Sequence, residues 1–69
     1  MGAEPFADDV DLAIARLVIE GLPNKAIAAR VGLPEGTVKW RLHRMYRQLG
    51  VQSRSRFVLE LRERLSSGP

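Results

Sequence analysis

The sequence predicts an all-α fold of four short helices. Three observations predict it. Few stretches alternate apolar and polar residues with the period of 2 that marks a half-buried strand. Ala, Leu, Arg and Glu, all good helix formers, dominate the composition. Apolar residues recur at helical spacing in four blocks, and Gly21, Gly32 and Gly50 fall between blocks, where helices need to stop.

The first helix is expected from Asp9 to Glu20. Asp8 or Asp9 caps it, since a carboxylate accepts the free N–H groups of the first turn and suits the positive end of the helix dipole. Val10, Ile14, Leu17 and Val18 should face the core, with Leu12 and Ile19 widening the apolar surface. Gly21 ends this helix, and Leu22-Pro23 forms the turn. The second helix is expected from Lys25 to Val31, with Asn24 as its N-cap and Ile27, Ala28 and Val31 inward. Ala26, Ala28 and Ala29 are small enough to let another helix approach closely. Gly32 closes the helix in the left-handed conformation, and Leu33 folds back on Ala28. The third helix is expected from Glu35 to Leu49. Val38, Leu42, Met45 and Leu49 form its core stripe, Gly50 stops it, and Val51 packs back on Tyr46, a core residue. The fourth is expected from Arg54 to Leu65, capped by Ser53, with Phe57, Val58, Leu61 and Leu65 buried. Residues 66–69 should fray, and residues 1–7 are expected to be a flexible segment ahead of a domain over 8–66.

A chain of 69 residues holds one domain at most and buries a modest core. With no cysteine, disulfides and cysteine-ligated zinc are excluded, and one His with scattered acids offers no metal-ligand set. Stability must come from efficient helix packing, a partner, or both. No apolar run reaches the ~18 residues that span a bilayer, and the N-terminus lacks the layout of a secretory signal. The expectation is a cytoplasmic protein without a membrane partner. No nucleophile–base set and no phosphate loop are present, so an enzyme is not expected and no cofactor is implied.

Charge is unevenly distributed. Met1 to Pro23 carries five acids (Glu4, Asp8, Asp9, Asp11, Glu20) and one base, Arg16. Gly36 to Leu59 carries no acid and six cations: Lys39, Arg41, Arg44, Arg47, Arg54 and Arg56. A basic half of this kind is either a solvated cationic face or the footprint of a polyanionic partner.

The second helix, a turn at Gly32 to Pro34 and the third helix read as a helix-turn-helix. In that arrangement the first helix meets the DNA backbone and the second enters the major groove, which at ~12 Å wide accepts one helix with its side chains. The face of the third helix opposite its core stripe carries Gly36, Lys39, Trp40, His43 and Arg47, flanked by Arg44. An exposed Trp there forgoes the burial its ring offers. Either Trp40 packs on a flank of the second or fourth helix, or its ring meets thymine methyls or a sugar edge.

Asn24-Lys25-x-Ile27-Ala28, Val31-Gly32-Leu33, Thr37-Val38-Lys39, Tyr46-Arg47-x-Leu49-Gly50-Val51 and Ser53-Arg54, in that order and with those gaps, resemble the LuxR/GerE-type helix-turn-helix. The resemblance spans about Asp8 to Leu65, and Glu35-Gly36-Thr37-Val38-Lys39-Trp40 looks most like the MalT-like regulators. It implies a LuxR/GerE-like four-helix bundle that binds promoter DNA in bacteria, often fused to or partnered with a sensor domain. By position, Lys39, Trp40 and His43 would contact bases, and Asn24, Lys25, Thr37, Arg44 and Arg47 would hold phosphates. The resemblance also implies a homodimer on paired half-sites through the fourth helix, with Ser55, Leu59 and Arg62 as contacts, and a nucleoid location when bound.

Four positions depart from the family pattern. Asp11 replaces a Glu, giving a shorter reach for the tie that residue makes to the rest of the domain. Ala26 replaces the Glu of the second helix, and Arg41 a frequent His. Pro34 stands where a Ser would cap the third helix, and that loss and Gly36 each remove about 1 kcal/mol of helix stability. Arg41 is expected off the groove face, towards the fourth helix, in a salt bridge or a backbone contact. Arg54 and Arg56 oppose the dipole at the start of the fourth helix, which hints at a phosphate partner. Two other functions use similar features: a protein-interaction module docking an acidic partner through the basic face, and a sigma region-4-like domain. The Gly50-Val51 stop and the full helix beyond it favour the LuxR type over the sigma type.

Overall fold

Backbone donors left open at helix starts, and glycines at helix ends, divide the chain into its elements. The computed structural model describes residues 8–66, apart from the side chain of Leu65. The expected flexibility of residues 1–7, the fraying of 67–69 and the buried role of Leu65 lie outside what is described. Ser66, expected to fray, is instead helical, and its Oγ donates to the Arg62 carbonyl at 2.6 Å. Four helices follow one another: α1 (Asp9–Ile19), α2 (Asn24–Val31), α3 (Glu35–Leu49) and α4 (Arg54–Ser66). The architecture is the expected all-α four-helix bundle.

Asp8 caps α1: its Oδ1 accepts from the N–H of Val10 at 2.8 Å and of Asp11 at 3.3 Å. The helix ends one residue earlier than expected, with Glu20 in the C-cap position. At the end of α2, Gly32 adopts φ 75°, and its N–H and that of Leu33 both donate to the Ala28 carbonyl, at 2.9 and 3.1 Å. Gly50 closes α3 the same way, at φ 70°, and the Val51 N–H reaches back to the Tyr46 carbonyl at 3.0 Å. A Cβ at Gly32 or Gly50 would meet nothing within 4 Å, so the backbone angle alone selects glycine there. Ser53 caps α4 through its Oγ, which accepts from the Arg56 N–H at 3.2 Å.

Asn24 departs from its expected role. It is the first residue of α2, and Pro23 occupies the cap position with an extended backbone. The Pro23 carbonyl accepts from the Ile27 N–H at 3.0 Å, and the Asn24 Oδ1 accepts instead from Arg54 Nη1 at 2.9 Å.

The core comprises Ile14, Ala15, Leu17 and Val18 of α1, Ile27 and Ala28 of α2, Val38, Leu42 and Met45 of α3, and Phe57 and Leu61 of α4. Ile19, Val31, Leu49 and Val58 are half-buried around it. Val10, expected inside, is exposed: it lies in the first turn of α1, beside an open groove lined also by Ala13, Arg16, Arg30 and Val31. Ala15 is buried without having been anticipated.

One carboxylate lies among these apolar residues. The Asp11 side chain is 3% exposed, and its two oxygens take Arg41 Nη1 at 2.8 Å and Arg44 Nη2 at 2.7 Å. Arg41 Nη1 also reaches Asp8 at 3.1 Å. The shorter reach of Asp11 is therefore enough to tie α1 to α3. Arg41 does form a salt bridge, but towards α1, not on the α4 side where it was expected. The Arg41 hydrogen bond, joined by the backbone N–H groups of Val10 and Asp11, holds the Asp8 carboxyl below its ordinary range. The hydrogen bonds that Arg41 donates to Asp11 and Asp8 raise its own pKa in turn.

Removing one partner of a buried ion pair costs about 3–5 kcal/mol when the other charge is sealed from water. Both guanidiniums here still reach solvent, so Asp11→Asn should lower unfolding stability by about 2 kcal/mol, read from urea denaturation. The lowered Asp8 pKa means that the folded state prefers the carboxylate. Its contribution is complete above the unfolded value of about 3.9 and is lost as the pH falls through the lower folded value. Asp8→Asn keeps a good cap and removes that dependence. The variant's denaturation midpoint should fall less steeply than that of the unaltered chain below about pH 4.

Candidate nucleic-acid interface

The turn at Gly32 to Pro34 is short because Gly32 ends α2 within one residue and Pro34 opens α3 at once. α2 packs across α3, and both rest on α1. Burial of Val38, Leu42 and Met45 turns one side of α3 inward and the opposite side to solvent. Gly36, Lys39, Trp40, His43 and Arg47 are all exposed on that open side.

Trp40 is 58% exposed, so it does not pack away on the flank of α2 or α4. The Arg44 guanidinium carbon lies 5.0 Å from the centre of its ring, a cation–π contact. His43 is exposed, with its ring 5.9 Å from that of Tyr46, which lies 4.9 Å from that of Phe57. Tyr46 thus links the open face to the core. Burial raises its phenol above the ordinary range.

The expected phosphate contacts occupy different settings. Lys25 and Arg47 are exposed. Thr37 is half-buried in the first turn of α3, its N–H bonded to the Pro34 carbonyl at 3.1 Å. Asn24 is half-buried with its oxygen engaged by Arg54. Arg44 is half-buried with Nη2 held on Asp11. Neither α2 nor α3 has a side-chain cap, so side chains leave the first-turn N–H groups of both helices open. On α4, Ser55, Leu59 and Arg62 are exposed, Leu59 by 49%.

Arg54 has a role that charge pattern did not reveal. Its guanidinium donates to the Leu22 carbonyl and to Asn24, fastening the start of α4 to the α1–α2 loop. That bond set gives Arg54 partners within the fold at a helix end that disfavours a cation. The signal available in the sequence was the same dipole mismatch, which names no partner.

Among the described residues no cluster of three or more metal-ligating side chains occurs. No described helix is long and apolar enough to cross a membrane.

Comparison with known proteins places this geometry. The chain is 40% identical over 53 residues to the HTH-type transcriptional regulator AlkS of Alcanivorax borkumensis, covering 77% of this chain and 6% of that protein. It is 33% identical over 49 residues to the regulator of the same name from Pseudomonas putida, covering 71% and 6%. The corresponding regulator of Ectopseudomonas oleovorans is 35% identical over 49 residues, again covering 71% and 6%. The chain therefore spans about 6% of the length of the curated relatives it matches. No solved structure matches it. Residues 11–61 match the family model GerE, described as bacterial regulatory proteins of the luxR family. With four helices, a helix-turn-helix and a match across most of its length, this chain is a DNA-binding domain belonging to the luxR family of bacterial regulatory proteins.

Proposed function

We propose that this domain is the output module of a bacterial transcription regulator and reads duplex DNA sequence by lying α3 in the major groove. The observation that carries the reading is the joint exposure of Lys39, Trp40 and His43 on a face of α3 with no acid beyond Glu35. In this reading Lys39 reaches a base edge or a phosphate, His43 gives or takes one bond, and Trp40 supplies an apolar surface. Lys25 and Arg47 meet the backbone as exposed cations. Thr37 and Asn24 stand beside uncapped helix N-termini, which favour phosphate. Arg44 reaches a phosphate only with the part of its guanidinium that Asp11 leaves free.

In this reading the output domain is fused to, or partnered with, a sensing domain. Work on DNA puts such a regulator in the cytoplasm, on the nucleoid when bound. Ser55, Leu59 and Arg62 form the surface by which two copies meet on paired half-sites. One helix face offers less than the ~1,200 Å² of a standard interface, so the free domain is a monomer and DNA brings the pair together.

Selection from random duplexes, followed by titration over a range of salt, tests the reading. Affinity for the selected duplex should fall steeply with salt, because each cation on a phosphate releases counterions. Lys39→Ala should relax the base preference. Arg47→Ala should weaken all duplexes alike and reduce the salt slope by about 1. Binding to no duplex, with retained binding to an acidic protein, would instead identify an interaction module.

A further inference from the structure

We propose that Asp11 and Arg44 are positioning residues for Trp40, so that α1 sets the base preference that the indole supplies. The inference rests on the reading of α3 as the groove helix. Three observations form a continuous chain. The Asp11 carboxylate is buried, with its side chain 3% exposed, and has no access to a duplex. It holds Arg44 Nη2 at 2.7 Å. The same guanidinium lies over the Trp40 ring at 5.0 Å.

Trp40 needs such a hold. Its side chain stands on the open face of α3, and among the described residues it makes no ring or charged contact except with Arg44. An indole free to change rotamer must be ordered on binding, which lowers affinity and blurs the edge it presents. A cation over the ring favours the held rotamer by about two- to fivefold at an exposed site. Arg44 is itself anchored by a group that does not move with the helix surface. Arg suits this post better than Lys, because its planar fork can hydrogen-bond a carboxylate and stack on an aromatic face at once. Arg41 directs its guanidinium to the other Asp11 oxygen and to Asp8, whereas that of Arg44 lies over the indole, so Arg41 serves as the internal control.

The test distinguishes positioning from a phosphate contact. Asp11→Asn releases both arginines and risks the fold, so Arg44→Met is the decisive variant; it keeps side-chain bulk and leaves the Asp11–Arg41 pair intact. Arg41→Gln is its counterpart. Trp40 is the one tryptophan of the chain, so fluorescence reports on it alone. In the free protein, Arg44→Met should lower Trp40 anisotropy and shift its emission, while Arg41→Gln should leave both unchanged. Random-duplex selection is then repeated with the unaltered chain, Trp40→Ala, Arg44→Met and Arg41→Gln. Trp40→Ala should relax preference at particular positions of the site. Arg44→Met should relax those same positions by about two- to fivefold, and Arg41→Gln should not.

A loss in Arg44→Met spread equally over all sequences, with no relaxation at the positions that Trp40→Ala relaxes, would overturn the proposal and leave Arg44 a phosphate contact alone. Unchanged Trp40 fluorescence in Arg44→Met, or a Trp40→Ala that relaxes no position, would overturn it as well. Failure of the unaltered chain to select any duplex would remove the groove reading itself. The fluorescence comparison would still decide whether the hold on Trp40 exists.

Discussion

A single buried carboxylate sets how α3 sits on the rest of the domain. Asp11 projects from the first turn of α1 and binds two arginines one turn apart on α3. The apolar stripe of α3 also faces inward, but hydrophobic contact is not directional and tolerates some rotation of the helix. An ion pair at 2.7–2.8 Å does not. The apolar stripe turns Lys39, Trp40, His43 and Arg47 outward, and the ion pair narrows the roll within which they sit. Burying a charge is unfavourable by itself, and its net worth in stability is modest. Its worth here is orientation.

The remaining ties follow the same logic of polar bonds placed at the ends of elements. Asp8 both caps α1 and shares Arg41 with Asp11, so the cap and the α1–α3 clamp are one network. Arg54 fastens the start of α4 to the loop before α2. A domain with no cysteine, and with eleven buried apolar residues among those described, thereby holds four helices in one arrangement. Prolines stand at the starts of both helices of the helix-turn-helix. They begin each helix without a side-chain acceptor, which leaves donors at the ends that face the proposed backbone contacts.

Much of this was legible in the sequence, because much of it is local. Helix limits followed from periodicity and from glycines, and α3 has the predicted bounds. Its open face followed from the same periodicity that defined its core stripe. What was missed joins residues far apart in the chain. Asp11 lies 30 and 33 residues from its two partners, and Arg54 lies 30 from Asn24. Helical spacing carries no information about such pairs. The reach of Asp11 depends on how closely α1 approaches α3, a tertiary quantity. Val10 has the right spacing for the core, yet it lies beyond the cover that α2 provides. Asn24 is a good capping residue, displaced by a proline whose extended backbone already fills that position.

Chemical interference on the selected duplex asks whether the outer face of α3 meets the major groove. Methyl groups placed on guanine N7 project into the major groove, whereas those on adenine N3 project into the minor groove. With α3 in the major groove, N7 methylation within each half-site should block binding. Binding that tolerates every N7 methyl group and is blocked only from the minor groove would contradict that placement.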